Sequence, residues 1–357
     1  MTTAPALLAL RFNNQKLGTA KLKTAADVVS WFGAVQAQDY AGARWAVGQR
    51  MTKATDADVE RAFDAGEILR THVLRPTWHF VTPADIRWIL ELSAPRVHGF
   101  NAPYYRRNDL DAKTLARSRK VLERALGNGH FLTRTELAAR LSRAKIQADS
   151  ERLAYVMMHA ELERVICSGP RRGRQFTYAL VDERAPRARS LPHDEALEEL
   201  TRRYFTSHGP ATVRDFSWWS GLTMRDGRRG LEMLGKDVVT HEVDGLRYSS
   251  IGSARRRLAA VTGALLLPNY DEFLIAYKDR VLSVPHADAS LLGTRGRDTY
   301  IYHLLIDARL AGSWRPGTAL GSLGVAVAPY QPMNRWPIEA RRALRDATTR
   351  YQEFVRC

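Results

Sequence analysis

Apolar positions fall at helical spacing in successive groups, and each group ends in a pair of short runs with strand character. The pattern is clearest mid-chain. Thr133 precedes an apolar run at Leu137, Ala138 and Leu141, as an N-cap residue precedes a helix. Ser150 opens a second helix, with Leu153, Val156, Met157, Ala160 and Leu162 at helical spacing. Residues 165–167 and 175–181 then predict two strands around a turn at 169–173. Two helices followed by a basic hairpin is the order of a winged helix-turn-helix.

The same order recurs on both sides. Towards the N-terminus, residues 25–35 predict a helix, 55–65 a second with Asp56 and Asp58 in its first turn, and 68–81 a hairpin. Further along, a helix runs through Tyr204 and Phe205, a short helix starts within 211–216, and another spans 224–234. A hairpin of 238–243 with 246–250 follows across Asp244-Gly245, a pair that favours positive φ and tight turns. Residues 85–125 read as mainly helical, and 184–192, with two prolines and three arginines, as a linker. From about 256 the texture changes. Apolar runs at 264–268 and 321–328 predict strands, 301–309 with Gly312, Ser313 and Trp314 a hairpin, and 338–355 a basic amphipathic helix. The expected class is mainly α with β wings (α+β). It comprises three tandem winged-helix units and a mixed α/β C-terminal region at 256–357. The units are placed at 1–125 (with a helical extension), 126–185 and 193–255.

Composition narrows the class. With 357 residues, 45% hydrophobic and 26% charged, the chain can bury a substantial core, and disorder is excluded as its main state. No apolar run approaches the ~18 residues of a membrane span, and residues 1–10 lack the charged and apolar regions of a secretory signal. Cys167 and Cys357 are too few for a disulfide framework, so a cytosolic location is expected. The net charge is +16, with 45 Arg against 9 Lys. Arginine's planar fork suits bidentate contact with phosphate, which points to nucleic acid and a nucleoid-associated place in the cytoplasm. Arginine bias from genomic base composition, on a basic surface that only aids solubility, is the competing reading.

Three enzyme classes lose their signature. No glycine-rich phosphate loop with its lysine is present, and no Gly-x-Ser-x-Gly elbow occurs. His159 and Cys167, eight apart with no second pair nearby, lack metal-ligand spacing, so neither a metal nor a cofactor is expected. What remains is polar material in apolar context. Gln36 and Gln38 close an apolar helix and can face one cleft at a helix end or in an extended stretch; otherwise they are surface residues. Arg75, Thr77 and His79 alternate along one predicted strand face, either as nucleic-acid contacts or as an ordinary strand edge. Arg171, Arg172 and Arg174 crowd the turn of the second wing, the densest candidate for a phosphate or minor-groove contact. Asp271 and Glu272, followed by Lys278 and Arg280, suit either acid–base work or a salt-bridge network.

Four islands of this sequence resemble the winged-helix DNA glycosylase family typified by AlkZ. Gln36-Ala37-Gln38 matches that family's Gln-hydrophobic-Gln motif, and residues 74–81 resemble its LRPTWHFV segment. Residues 208–212 with 215–222 are similar to its GPAT…DFxWWSGL block, and 267–272 with 277–280 to its LPxYDE…YKDR block. A related class carries Gln-hydrophobic-Asp. Here Gln38 holds that place and Asp39 follows it, so the chain resembles the Gln-Gln class. The resemblance implies three winged-helix units in a C-shape, with a basic concave face gripping double-stranded DNA. It also implies excision of N7-alkylated guanine, unhooking of interstrand crosslinks, and action as a monomer without cofactor.

An amide can suffice for such chemistry. N7-alkylated guanine carries a positive charge and leaves as a neutral base, so the enzyme's task is to position water and stabilise an oxocarbenium-like sugar. Gln36 and Gln38 are the catalytic candidates on this reading. Tandem winged helices also serve as transcriptional regulators, and a non-catalytic DNA clamp is the third reading. Release of N7-methylguanine from alkylated DNA separates the three.

Overall fold

A computed structural model describes residues 3–252, 261–280, 282, 302–317 and 324–356. The expectations for 253–260, for the strand start at 321–323 and for Cys357 lie outside these residues.

Three times the chain runs helix, short strand, helix, helix, strand, strand. Each time the first strand pairs with the third, and the third with the second. The first copy comprises helices Ala25–Phe32, Tyr40–Gly48 and Asp56–Ala65 with strands Val35–Gln36, Leu69–His72 and Trp78–Val81. The second comprises helices Ala112–Leu126, Arg134–Arg143 and Ser150–Leu162 with strands Leu132–Thr133, Ile166–Ser168 and Thr177–Leu180. In the third, helices His193–Ser207, Val213–Ser220 and Met224–Leu234 precede strands Val238–Val243 and Leu246–Ile251, and Ala211 bridges to Ser249 in place of the first strand.

Local chemistry starts these helices. Thr55 with Asp58, Thr133 with Glu136, Thr212 with Asp215 and Thr223 with Asp226 each form a capping box, satisfying two orphan backbone N–H groups reciprocally. Asp244 (φ 53°) and Gly245 (φ 72°) make the expected tight turn of the third wing.

Two boundaries differ from the sequence reading. The helix Ala112–Leu126 was expected to extend the first unit, yet Leu122 and Leu126 pack with Leu137, Leu141, Val156 and Ile166 in the second unit's core. It is that unit's first helix. The helix expected over 25–35 stops at Phe32, because Gly33 turns the chain at φ 81° and releases Val35 and Gln36 into a strand.

The first and third units share one core. Leu74 and Trp88 meet Tyr204, Phe216 and Trp219 there, and the long helix Ile86–Arg107 runs along it. Trp219 has no solvent exposure, and its truncation to alanine is expected to cost about 3–5 kcal/mol. The C-terminal region is an antiparallel sheet in the order Val325–Pro329, Arg309–Pro316, Tyr302–Ile306, Ala264–Leu267, followed by the helix Ile338–Val355. Leu266, Leu304, Trp314 and Phe354 pack onto Phe32, Trp45 and Phe80, so this region closes over the first unit. The N-terminal helix Ala4–Asn14 lies against the third unit. Its buried Arg11 donates from Nε to the Pro210 carbonyl at 2.7 Å, and its guanidinium lies 3.8 Å from the Tyr277 ring centre. No helix among the described residues is long and apolar enough to cross a membrane.

Candidate active site

The strand Val35–Gln36 leads directly into the helix Tyr40–Gly48, and the segment between them stays extended. Ala37 donates its N–H to the Trp78 carbonyl at 2.7 Å and accepts from Arg70 Nε at 3.0 Å. Asp39 ends the segment as the helix N-cap. Its carboxylate accepts from the Gly42 N–H at 3.1 Å and the Tyr302 hydroxyl at 2.7 Å, which gives it a structural role. In an extended stretch, residues two apart share a face, so Gln36 and Gln38 sit together as a helix interior would not allow. Their exposure differs. Gln36 is buried, whereas Gln38 is exposed and accepts from the Trp78 N–H at 3.4 Å.

Gln36 is held from behind. Its backbone N–H donates to Glu272 Oε1 at 2.8 Å, across 236 residues of chain. The other carboxylate oxygen of Glu272 accepts from Trp219 Nε1 at 3.0 Å and lies 3.2 Å from His208 Nε2. Burial alone would raise the Glu272 carboxyl, but the contact with His208 and the Gln36 N–H outweigh it and hold it below the usual carboxylate range. Three of the four sequence islands therefore converge on one buried carboxylate. The fourth joins through the sheet, where Gln36 pairs with His79 across the antiparallel ladder.

That register sets two side chains on one face with Cβ atoms about 5 Å apart. The Gln36 amide nitrogen reaches Thr77 Oγ1 at 3.5 Å, a long contact, while its Oε1 is buried and without a hydrogen-bond partner. His79 has no exposed surface, and its Nδ1 donates to the Thr77 carbonyl at 2.9 Å. The lone pair of that imidazole is then on Nε2, which is also buried without a partner. Burial, reinforced by the nearby Arg75 charge, lowers the His79 pKa to about 4, so it is neutral at pH 7. The site thus presents two buried acceptor atoms that no described residue satisfies. Such atoms cost about 1–3 kcal/mol each and favour a bound donor such as water.

The four blocks that form this site belong to a recognisable family. Residues 29–354 match the AlkZ-like DNA glycosylases. The chain belongs to that family. An interstrand DNA cross-link repair glycosylase from Streptomyces sahachiroi is 25% identical over 352 residues, which cover 94% of this chain and 92% of that protein. The solved structure of Streptomyces sahachiroi DNA glycosylase AlkZ shares the fold, with a TM-score of 0.82 and 23% identity over 99% of this chain and 96% of that one.

The glycosylase holds the other expected residues in less uniform ways. Arg75, Thr77 and His79 do not alternate along one strand. Arg75 and Thr77 occupy the turn before strand Trp78–Val81, and only His79 lies in the ladder. His79, expected to touch DNA, is wholly buried beside Gln36 and offers no surface to a phosphate. The Arg75 guanidinium lies 5.5 Å from the Trp218 ring centre. On the second wing, Arg171 turns inward against Tyr40 and Phe176, with Glu60 3.5 Å away. Arg172 pairs with Glu136 at 2.8 Å and donates to the Phe131 carbonyl at 2.6 Å. Arg174 is exposed and forms no ion pair with any described residue. Asp271 belongs to the structure rather than to chemistry, since both its oxygens accept from Arg50 at 2.8 Å.

Sequence reasoning missed His208, Trp219 and Arg70 as site residues. His208 and Trp219 stood inside a family-like block but carried no local sign of reaching Glu272. Arg70 is buried within a strand, its guanidinium 4.4 Å from the Trp78 ring centre, where an arginine signals a bracing contact rather than a free charge.

Proposed function

We propose that this DNA glycosylase hydrolyses the N-glycosidic bond of N7-alkylguanine in double-stranded DNA and unhooks interstrand crosslinks as a monomer, with a water aimed by Gln36. The observation that carries the reading is that Gln36 and His79 pair across the ladder, each with a buried acceptor, Oε1 and Nε2, that meets no partner among the described residues. Two acceptors on one face hold the two hydrogens of a water and turn its lone pair outward. The water oxygen attacks C1′, the C1′–N9 bond breaks, and its electrons neutralise the cationic purine as it leaves. The attacking water then loses a proton to solvent. Gln38, at the exposed lip, faces the sugar as positive charge develops on it.

Glu272 acts behind this pair by fixing the Gln36 backbone, and the Trp219 and His208 contacts fix Glu272 in turn. The family relative named for crosslink repair supports the bulkier substrate, and an exposed Gln38 suits a lesion too large to be flipped into a closed pocket. The test is release of N7-methylguanine from methylated duplex and unhooking of a crosslinked duplex on a denaturing gel. Gln38→Ala is expected to slow single-turnover release on the order of 10²-fold. Wild-type protein that releases no N7-methylguanine overturns the substrate assignment. A Gln38→Ala variant at full rate removes that residue from the mechanism.

A further inference from the structure

We infer that His98, His159 and Glu163 form a binding site for a divalent transition metal, with zinc the best fit to the donor set. The ion would staple the long helix Ile86–Arg107 to the third helix of the second winged-helix unit. Along the chain His159 has no ligand partner but Cys167; through space the fold gives it two others. His159 and Glu163 stand four apart at the C-terminal end of the helix Ser150–Leu162, with Glu163 as its C-cap, so both fall on one face. His98 comes from the neighbouring helix, 61 positions earlier, and one ligand atom of each residue lies within 4.8 Å of the others.

The arrangement is already partly closed. His98 Nε2 lies 3.0 Å from Glu163 Oε1, near the ~3.4 Å between two ligands of a tetrahedral ion with bonds of about 2.1 Å. The two imidazole rings lie with centres 5.0 Å apart, tilted 52° to each other. The second nitrogen of His98 is in contact with the Tyr105 hydroxyl at 3.0 Å, the kind of outer hydrogen bond that fixes the orientation of a metal-bound imidazole. His159 and Glu163 are partly exposed and free to complete the closure. Arg119 and Arg164 face the cluster and compete with a cation for the carboxylate. Two imidazoles and a carboxylate form the borderline donor set that prefers zinc and its late first-row neighbours over magnesium or calcium. The fourth position is left to water.

The experiment uses the full chain, treated with a chelator and titrated with Zn²⁺ alone by calorimetry, and with Co²⁺ as an optical probe. One equivalent is expected to bind and to raise the melting temperature. His159→Ala and Glu163→Gln are each expected to weaken Zn²⁺ binding at least about tenfold and to abolish the Co²⁺ visible band. Tyr105→Phe is expected to weaken it less than either ligand variant does. Glu163→Gln guards against a folding defect, because it keeps the size of a partly exposed side chain and its near-ultraviolet circular dichroism can be compared with wild type. No saturable binding by the wild-type chain, or equal Zn²⁺ affinity in both ligand variants, overturns the site.

Discussion

The connection between the last two strands is the wing of a winged helix, and the first and second units have used it in opposite ways. In the second unit the tip at Arg172, Gly173, Arg174 and Gln175 stands in solvent. In the first, Leu74 is 1% exposed, its N–H donates to Ser93 Oγ at 3.2 Å, and its carbonyl lies 2.5 Å from where a side chain on Gly221 would begin. Gly221 is required there twice over, by that approach and by its φ of 72°. The third unit has been laid over the first wing, which now forms one wall of Gln36's setting. What covers a loop has decided whether it lies inside the molecule or stands in solvent.

The sharpest way to break this comparison is Gln36→Ala. It is expected to lower the single-turnover rate of N7-methylguanine release by about 10²–10³-fold, while affinity for uncut duplex stays within about twofold. Equal losses in rate and affinity would make Gln36 a binding residue rather than one that acts on the reacting bond. Next in size is a pH effect carried by His79. Its folded pKa of about 4 lies below the unfolded value of about 6.5, so the unfolded chain takes up the proton first. The stability contributed by the neutral ring is full above pH 6.5 and falls as pH drops through that window, by roughly 3 kcal/mol near pH 4. His79→Gln should flatten that part of the curve of urea midpoint against pH, and an unchanged curve refutes the buried neutral ring. The smallest effects belong to the second wing. Arg174→Ala should reduce the log–log salt slope of duplex binding by about one, read by fluorescence anisotropy across salt. Arg172→Ala should change unfolding stability by less than about 1 kcal/mol, because its ion pair is half exposed. If Arg174→Ala leaves both affinity and slope untouched, the wing tip is a solvated turn.

Much of the fold was legible because its signals are local. Thr133 with Glu136 and Asp244-Gly245 declare a helix start and a turn within four residues, and nothing distant overrides them. The helix over 25–35 was drawn three residues too long because Ala34 and Val35 continue the apolar pattern. That pattern does not register that Gly33 has a positive φ. The helix Ala112–Leu126 was visible as a helix but not as the second unit's, since amphipathicity names a buried face without naming what buries it.

The candidate site was legible only in part, for the same reason. Gln36 and Gln38 stood out as polar residues in apolar surroundings, yet the line of sequence left open whether Glu272 served acid–base work or a salt bridge. What is found is a contact with His208 and Trp219 rather than with the nearby Lys278 and Arg280. Lys278 lies over the Trp218 ring, 4.3 Å from its centre, and Arg280 donates to the Leu274 carbonyl at 3.0 Å, while Glu272 turns away from both. Its partners are 53, 64 and 236 positions distant, and no spacing rule reaches that far.

The length of that last contact orders events during synthesis. When the third winged-helix unit has left the ribosome, the chain already holds its basic wings, but Gln36 still lacks the carboxylate that will fix its backbone. Long-range contacts of this kind form late, after local structure has closed the intervening loops. A nascent chain therefore passes through a stage at which its three winged-helix units are complete while Gln36 still lacks Glu272 behind it. The setting of Gln36 is complete only when the C-terminal region has joined the first and third units around one buried glutamate.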